Sequence, residues 1–180
     1  MGIDIEVSVG IKTEGGIENL PYIYDDFMDV DDPTYYKKDP NRPKYRRRYF
    51  RNSICFQFME DYLIHSGRYP NGNYAFHLVY DGNTPLYNED GTPKTTEDKY
   101  DYGHGWFTLK ELKKVIKSKR IRKYYMGEYH TICDTEEYDG IIHCLKMLRD
   151  DVVRNVIGYT FDDSYCPKDS DVIICVAFNH

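Results

Sequence analysis

Ile3-Asp4-Ile5-Glu6-Val7-Ser8-Val9-Gly10-Ile11-Lys12 alternates without a break, apolar at every odd position and polar or small at every even one. Successive side chains of a strand point to opposite sides, so this period of two predicts a strand with one buried face. Near the other end of the chain, Val172-Ile-Ile-Cys-Val-Ala-Phe178 is apolar throughout, which predicts a strand buried on both faces and central in its sheet. The two are expected to be neighbours. Gly15-Gly16 breaks the first run, and residues 17–24 return as a second strand that Pro21 confines to an edge. Residues 74–80 (Tyr-Ala-Phe-His-Leu-Val-Tyr) also read as a strand.

Between these runs the period becomes helical. From about Arg47 to Ser66, Ile54, Cys55, Phe58, Met59, Tyr62 and Leu63 form one stripe, which Gly67 stops. Thr108-Leu-Lys-Glu111 is a capping box opening a helix to about Lys119, with Leu109, Leu112, Val115 and Ile116 inward. Its lysines gather toward the C-terminal half, where the helix dipole tolerates cations. Asp134-Thr-Glu-Glu137 opens the longest helix, to about Ile157, with Ile141, Leu145, Leu148, Val152 and Val156 as its buried row and Gly158 as its end. The expected fold is a single α+β domain over 1–180, a small, mostly antiparallel sheet with about three helices packed on one face.

Two stretches fit neither period. Residues 25–48 read as an irregular charged insertion, acidic at Asp25, Asp26, Asp29, Asp31 and Asp32 and basic toward its end, with Pro33, Pro40 and Pro43 excluding a helix before about Tyr45. Residues 81–105, rich in Gly and Pro, read as the most mobile loop.

The chain has 180 residues, 41% hydrophobic and 30% charged, enough for a core beneath a solvated surface. Thirty acidic against 24 basic residues give a net charge of −6. Non-specific duplex binding runs on an excess of Lys and Arg, so no duplex nucleic-acid partner is expected. No membrane is expected either: no apolar run reaches bilayer length, the N-terminus lacks a signal pattern, and Glu6 stands where myristoylation requires Ser or Thr. The expected location is the cytoplasm. Cys55, Cys133, Cys144, Cys166 and Cys175 are odd in number and read as free thiols. Nineteen Tyr beside one Trp favour ligand surfaces or a homo-oligomer interface, against the plainer reading of half-buried sheet and loop positions.

Three constellations carry chemistry. Asp4 and Glu6, two apart on a strand, share a face, and such a pair can hold a divalent metal or divide acid and base roles. The plainer reading is the exposed polar face of an antiparallel sheet. In Tyr100-Asp-Tyr-Gly-His-Gly-Trp106, Asp101 and His104 are expected in a loop just ahead of a capped helix, with glycines permitting close backbone approach. His104 there suits a ligand, a general base or a phosphate donor; locally, it instead bonds a turn carbonyl while Trp106 and Phe107 staple the helix entry. Tyr45-Arg-Arg-Arg-Tyr-Phe-Arg51 interleaves Arg46, Arg47, Arg48 and Arg51 with aromatics including Tyr49, a pattern for phosphate oxygens plus stacking, or for a helix start neutralised by the nearby acids. His130, Cys133, His143 and Cys144 match no standard closed zinc site, and there is no P-loop or GxGxxG.

Met1-Gly-Ile-Asp-Ile-Glu6, Asp101-Tyr-Gly-His-Gly-Trp-Phe-Thr-Leu-Lys-Glu-Leu112 and, more loosely, Val176-Ala-Phe-Asn-His180 are the stretches at which the chain resembles a family of small proteins from tailed phages and prophages. That family opens Met-Gly-Cys-Asp-Ile-His, carries an Asp/His-rich turn before Ser-Trp-Leu-Thr-Leu-x-Glu-Leu, and ends on a strand with Phe-Asp-Asn. Here its Cys is Ile3 and its His is Glu6, so a metal or acid–base role of that His does not carry over unchanged. Its terminal Asp-Asn is Asn179-His180. The family has no settled activity, so the resemblance implies a phage accessory origin rather than a reaction. With first and last strands adjacent, Asp4, Glu6, Asn179 and His180 would share one sheet end, over which the loop bearing Asp101 and His104 would close.

The leading expectation is a binding protein without cofactor, capturing a small anionic ligand such as a nucleotide, or a host protein, to counter host defence. Its contacts would be Arg46, Arg47, Arg48, Tyr49, Arg51, His104 and Trp106. The alternative is a metal-dependent phosphoester hydrolase with Asp4, Glu6, Asp101 and His104 around a divalent cation. A structural, oligomeric phage component is the third.

Overall fold

Strand β1 (Asp4–Thr13) has partners along both edges. A computed structural model of the chain describes residues 4–14, 16–21, 27–29, 47–50, 53–68, 80–81, 84–85, 89 and 104–179. On one side β1 runs antiparallel to β10 (Val172–Asn179), in register from Asp4↔Asn179 to Ile11↔Val172. On the other, β2 (Gly16–Leu20) pairs with its C-terminal half and β4 (Arg47–Phe50) with its N-terminal half. Beyond β4, β3 (Phe27–Asp29) runs parallel to it, and beyond β10, β7 (His104–Thr108) forms the opposite edge. The main sheet is thus antiparallel except for the β3–β4 pair. Two small antiparallel hairpins stand apart from it, β5 (Tyr80–Asp81) with β6 (Thr84–Pro85), and β8 (Ile121–Tyr125) with β9 (Glu128–Ile132).

Helices α1 (Ser53–His65), α2 (Leu109–Lys117) and α3 (Glu136–Asp151) pack on one face of the sheet. Ile5, Val7, Val9 and Ile11 of β1 and Val172, Ile174, Val176 and Phe178 of β10 join one core with Cys55, Phe56, Met59 and Leu63 of α1, Leu109, Leu112 and Ile116 of α2, and Ile141, Leu145 and Leu148 of α3. Each fully buried aliphatic or Phe side chain contributes roughly 1.5–3 kcal/mol. The α+β class, the central place of β10 and the pairing of first with last strand are as the patterns predict. Among the described residues no helix is long and apolar enough to cross a membrane.

The structure corrects several boundaries. Arg47–Phe50 is a strand rather than the start of α1, because its alternation places Tyr49 beside Ile5 and drives it into the helix-side core. Four residues are too few for that period to show in sequence. In α1, Phe56 is buried and Ile54 is exposed, reversing the expectation for that turn. Gly67 does end α1: it takes φ +71°, and the N–H groups of Gly67 and Arg68 return to the carbonyls of Ile64 and Leu63. Helix α2 ends at Lys117, two residues before the expected point. The N-cap of α3 is Thr135, whose hydroxyl accepts from the Tyr138 N–H, rather than Asp134. Gly158 does not terminate α3, which widens into a π-helical stretch over Val152–Ile157 and closes with an α-turn at Gly158–Thr160. On the buried side of that join, the Tyr49 hydroxyl and the Asn155 amide both donate to the Asp151 carboxylate, tying β4 to α3.

The β8–β9 hairpin was not expected. Met126 (φ +50°) and Gly127 (φ +86°) make its two-residue turn with both central φ positive, the geometry whose twist suits a hairpin. Phe27–Asp29, in the stretch read as an irregular insertion, is a strand; residues 30–46 and 74–79 lie outside the described residues.

The five cysteines are free, as the odd count suggests, and divide by depth: Cys55, Cys144 and Cys175 are buried, Cys133 and Cys166 exposed. Burial pushes the Cys55 thiol well up from its ordinary value, and neighbouring Cys144 adds to the effect. Only thiolate reacts. Titration with a chromogenic disulfide at neutral pH is therefore expected to modify Cys133 and Cys166 rapidly in the native protein and all five only after denaturation.

Candidate functional site

Side-by-side partners in adjacent strands share a sheet face. The registers of four strands therefore string one row across the sheet: Arg48 on β4 opposite Glu6 on β1, Glu6 opposite Ala177 on β10, and Ala177 opposite His104 on β7. The next row holds Ser8, Cys175 and Trp106. Two residues the other way along β1, Asp4 is opposite Asn179. Since Ile5, Val7 and Val9 pack toward the helices, all these positions belong to the other face. With strands about 4.8 Å apart, the row from Arg48 to His104 spans about 14 Å, and Asp4 and Glu6 are roughly 7 Å apart.

The face away from the helices is not the exposed polar surface of the plainer reading. Glu6 is only 7% exposed and Ser8 fully buried. Ile173 and Cys175 form a second small apolar cluster there with Ile17 and Trp106. β1 thus buries polar residues on one face and apolar ones on the other.

Trp106 is fixed by a guanidinium. The Arg68 Cζ lies 4.8 Å from the Trp106 ring centroid and 5.7 Å from that of Tyr62. The same guanidinium forks onto Glu111, with Nη1 2.9 Å from Oε2 and Nη2 2.7 Å from Oε1. Glu111 in turn accepts from the Thr108 N–H at 2.8 Å while the Thr108 hydroxyl accepts from the Glu111 N–H at 3.1 Å, the capping box read in the sequence. Partial burial works against ionisation of Glu111, but the Arg68 hydrogen bonds, the Thr108 N–H and the Arg68 charge outweigh it and hold the carboxyl below its ordinary value. Gly105 permits this corner: a Cβ there would meet the Arg68 carbonyl oxygen at 2.6 Å and Leu63 Cδ1 at 2.8 Å. The close approach anticipated for glycine in this segment is to the end of α1.

The sequence-predicted residues are thereby sorted. Asp4, Glu6, Arg48, His104 and Trp106 share one sheet face; Asp4, Arg48 and His104 are placed there by their backbone register. His104 is a strand residue rather than a loop residue, because β7 runs straight into α2. Arg47 takes the opposite alternation from Arg48, so these two do not share a sheet face. Tyr49 is fully buried and bonded to Asp151, a core residue rather than a stacking platform. Asp101, Arg46 and Arg51 lie outside the described residues. Among the residues whose side chains are described, no three His, Cys, Asp or Glu groups converge as a metal site.

A cleft of about 250 Å³ that no periodic sequence pattern marks lies between α1 and the β8–β9 hairpin. It is lined by Asp61, Tyr62, His65, Ser66, Arg122 and Tyr129, with the Arg122 guanidinium 4.2 Å from the Tyr129 ring centroid. Gly127 between two five-residue strand segments was the available signal, since that turn brings Arg122 and Tyr129 onto one hairpin face.

Fold and site together define an α+β protein whose central sheet carries helices on one face and, on the other, the row of Arg48, Glu6, Ala177 and His104, in which Glu6 is buried. No protein-family model, curated protein or solved structure matches the chain.

Gly105→Ala is expected to lower stability by roughly 1–3 kcal/mol, because the added carbon meets backbone on one side and a core leucine on the other; urea unfolding measures it, with Gly140→Ala, where a Cβ meets nothing within 4 Å, as control. The depressed Glu111 pKa gives stability that is fully present above the ordinary glutamate range and is lost as pH falls through the folded-state value. Urea midpoints measured from pH 6 down to pH 3 are expected to fall less steeply for Glu111→Gln than for the unaltered protein.

Proposed function

We propose that the chain is a binding protein for a small anionic ligand of nucleotide chemistry, seated on the sheet face away from the helices. The observation that supports this reading is the register, which brings residues 6, 48, 104 and 106 from three separate parts of the sequence into two adjacent rows. Arg48 and His104 stand at the two ends of one row, suited to negatively charged oxygens. Between them Glu6 accepts hydrogen bonds from amino or hydroxyl groups of the ligand. Trp106, held by Arg68, offers its ring to a planar group. The resemblance to phage accessory proteins supplies a setting, the host-cell cytoplasm, in which capturing a signalling nucleotide or a host protein would blunt host defence.

The same face supports a second reading, because it also carries Asp4. Asp4, Glu6 and His104, joined by Asp101, would hold a divalent cation, which in a hydrolase activates water against a phosphoester. These residues would then fix the cation and pass the proton from the attacking water.

Native mass spectrometry and thermal shift against a panel of mononucleotides and cyclic dinucleotides, with and without Mn²⁺, separate the readings. Expected is a stoichiometric adduct that raises Tm and whose affinity falls about tenfold or more in Arg48→Ala and in His104→Ala, the loss of one charge-assisted hydrogen bond. A panel without any adduct sensitive to Arg48 rejects the binding site. Turnover that requires Mn²⁺ and is lost in Asp4→Asn and His104→Ala puts the hydrolase in its place.

A further inference from the structure

Residues 109–123, Leu-Lys-Glu-Leu-Lys-Lys-Val-Ile-Lys-Ser-Lys-Arg-Ile-Arg-Lys, hold eight basic side chains and one acid, while the rest of the chain holds sixteen bases and twenty-nine acids. The one acid, Glu111, is consumed by Arg68 and Thr108. Of the cations, Lys113 pairs with Asp169 at 2.8 Å and Lys123 with Glu137. Lys110, Lys114, Lys117, Lys119 and Arg120 are exposed and make no ion pair among the described residues. Lys110, Lys113, Lys114 and Lys117 recur at helical spacing on the side of α2 away from buried Leu109, Leu112 and Ile116. With Ser118 and Asp169 they line an open depression of about 380 Å³.

We infer that this face of α2, continued through Lys119 and Arg120, docks on the phosphate backbone of a nucleic acid without reading its sequence. The composition selects that partner. Protein interfaces deplete Lys and centre on aromatic or aliphatic anchors, and this stripe has none. A membrane-surface helix inserts an apolar face, and here that face is spent on the core. Lysines in a row along one helix are the footprint of phosphate contacts, each a point charge on a flexible stem. The expectation against a duplex partner rested on the net charge of −6, which averages over a chain whose charges are segregated. The inference is independent of the sheet-face site, which lies on other elements.

The test is fluorescence anisotropy of the full chain with a labelled 20-nucleotide single strand and a 20-base-pair duplex, titrated from 50 to 200 mM salt. With about five phosphates neutralised, the log–log salt slope is expected near −3.5 for the single strand and −4.5 for the duplex, and the tighter of the two at 50 mM salt marks the source of the phosphates. Lys110→Glu/Lys114→Glu/Lys117→Glu is expected to weaken binding at least tenfold, and the Gln triple to flatten the slope by about two to three units. Lys146→Glu on α3 is expected to leave binding unchanged. The inference is overturned by no binding at 50 mM salt, by equal affinity in the triples with unchanged thermal melting, by equal binding of a 20-residue polyglutamate, or by binding to phosphatidylserine vesicles alone.

Discussion

Eight consecutive residue pairs, from Asp4↔Asn179 to Ile11↔Val172, join β1 to β10, and the other strands of the main sheet attach directly or through β4 to one of these two. The pairing turns two separately legible sequence patterns into one surface. Odd positions of β1 and even positions of β10 meet the helices, and the remaining positions meet each other on the opposite face. Because the strand repeat is two residues, a slip of one would exchange Glu6 and Ser8 for Val7 and Val9 and set carboxylate and hydroxyl against the apolar core. Burial of both residue sets holds the register, and the register alone puts Arg48, Glu6, Ala177 and His104 in line.

The corner at Arg68 has a different character. There a helix end, a capping box, a strand residue and two aromatic rings converge on one guanidinium. Tyr62 shows the consequence: burial, then Glu111, raise its phenol, while Arg68 pulls the other way. One cation thus mediates between α1, α2 and β7, and it holds the indole that borders the polar row.

The sequence made the long, strongly periodic elements visible. The alternation of 3–12, the apolar run 172–178, the Thr108–Glu111 box and the 141–156 row are each decided by neighbours within the element. Short strands were illegible for the opposite reason. Arg47–Phe50 and Phe27–Asp29 are strands because β1 and each other supply their hydrogen bonds, and three or four residues carry no period. For the site, the pairing of Asp4 with Glu6 and the density of Tyr100–Trp106 were readable as local patterns. That Arg48 parts from Arg47 and Tyr49 followed only from strand alternation at a place read as helix. The basic stripe was in view as lysines near a helix end, but its isolation from counter-charges needed the ion pairs of Lys113 and Lys123.

Pairing β1 with β10 also sets an order of events during synthesis. At roughly 5–20 residues per second, the segment at 4–13 leaves the ribosome on the order of ten seconds or more before 172–179 is made. Until then its central neighbour does not exist, and a strand with apolar residues at every second position has an open edge. The nascent chain can assemble α1 and the β8–β9 hairpin early, from local contacts, but the sheet closes last. Trimming a few residues from the 172–179 strand would therefore remove the middle of the sheet rather than fray its border, leaving the segment at 4–13 as a free edge for another chain to pair with.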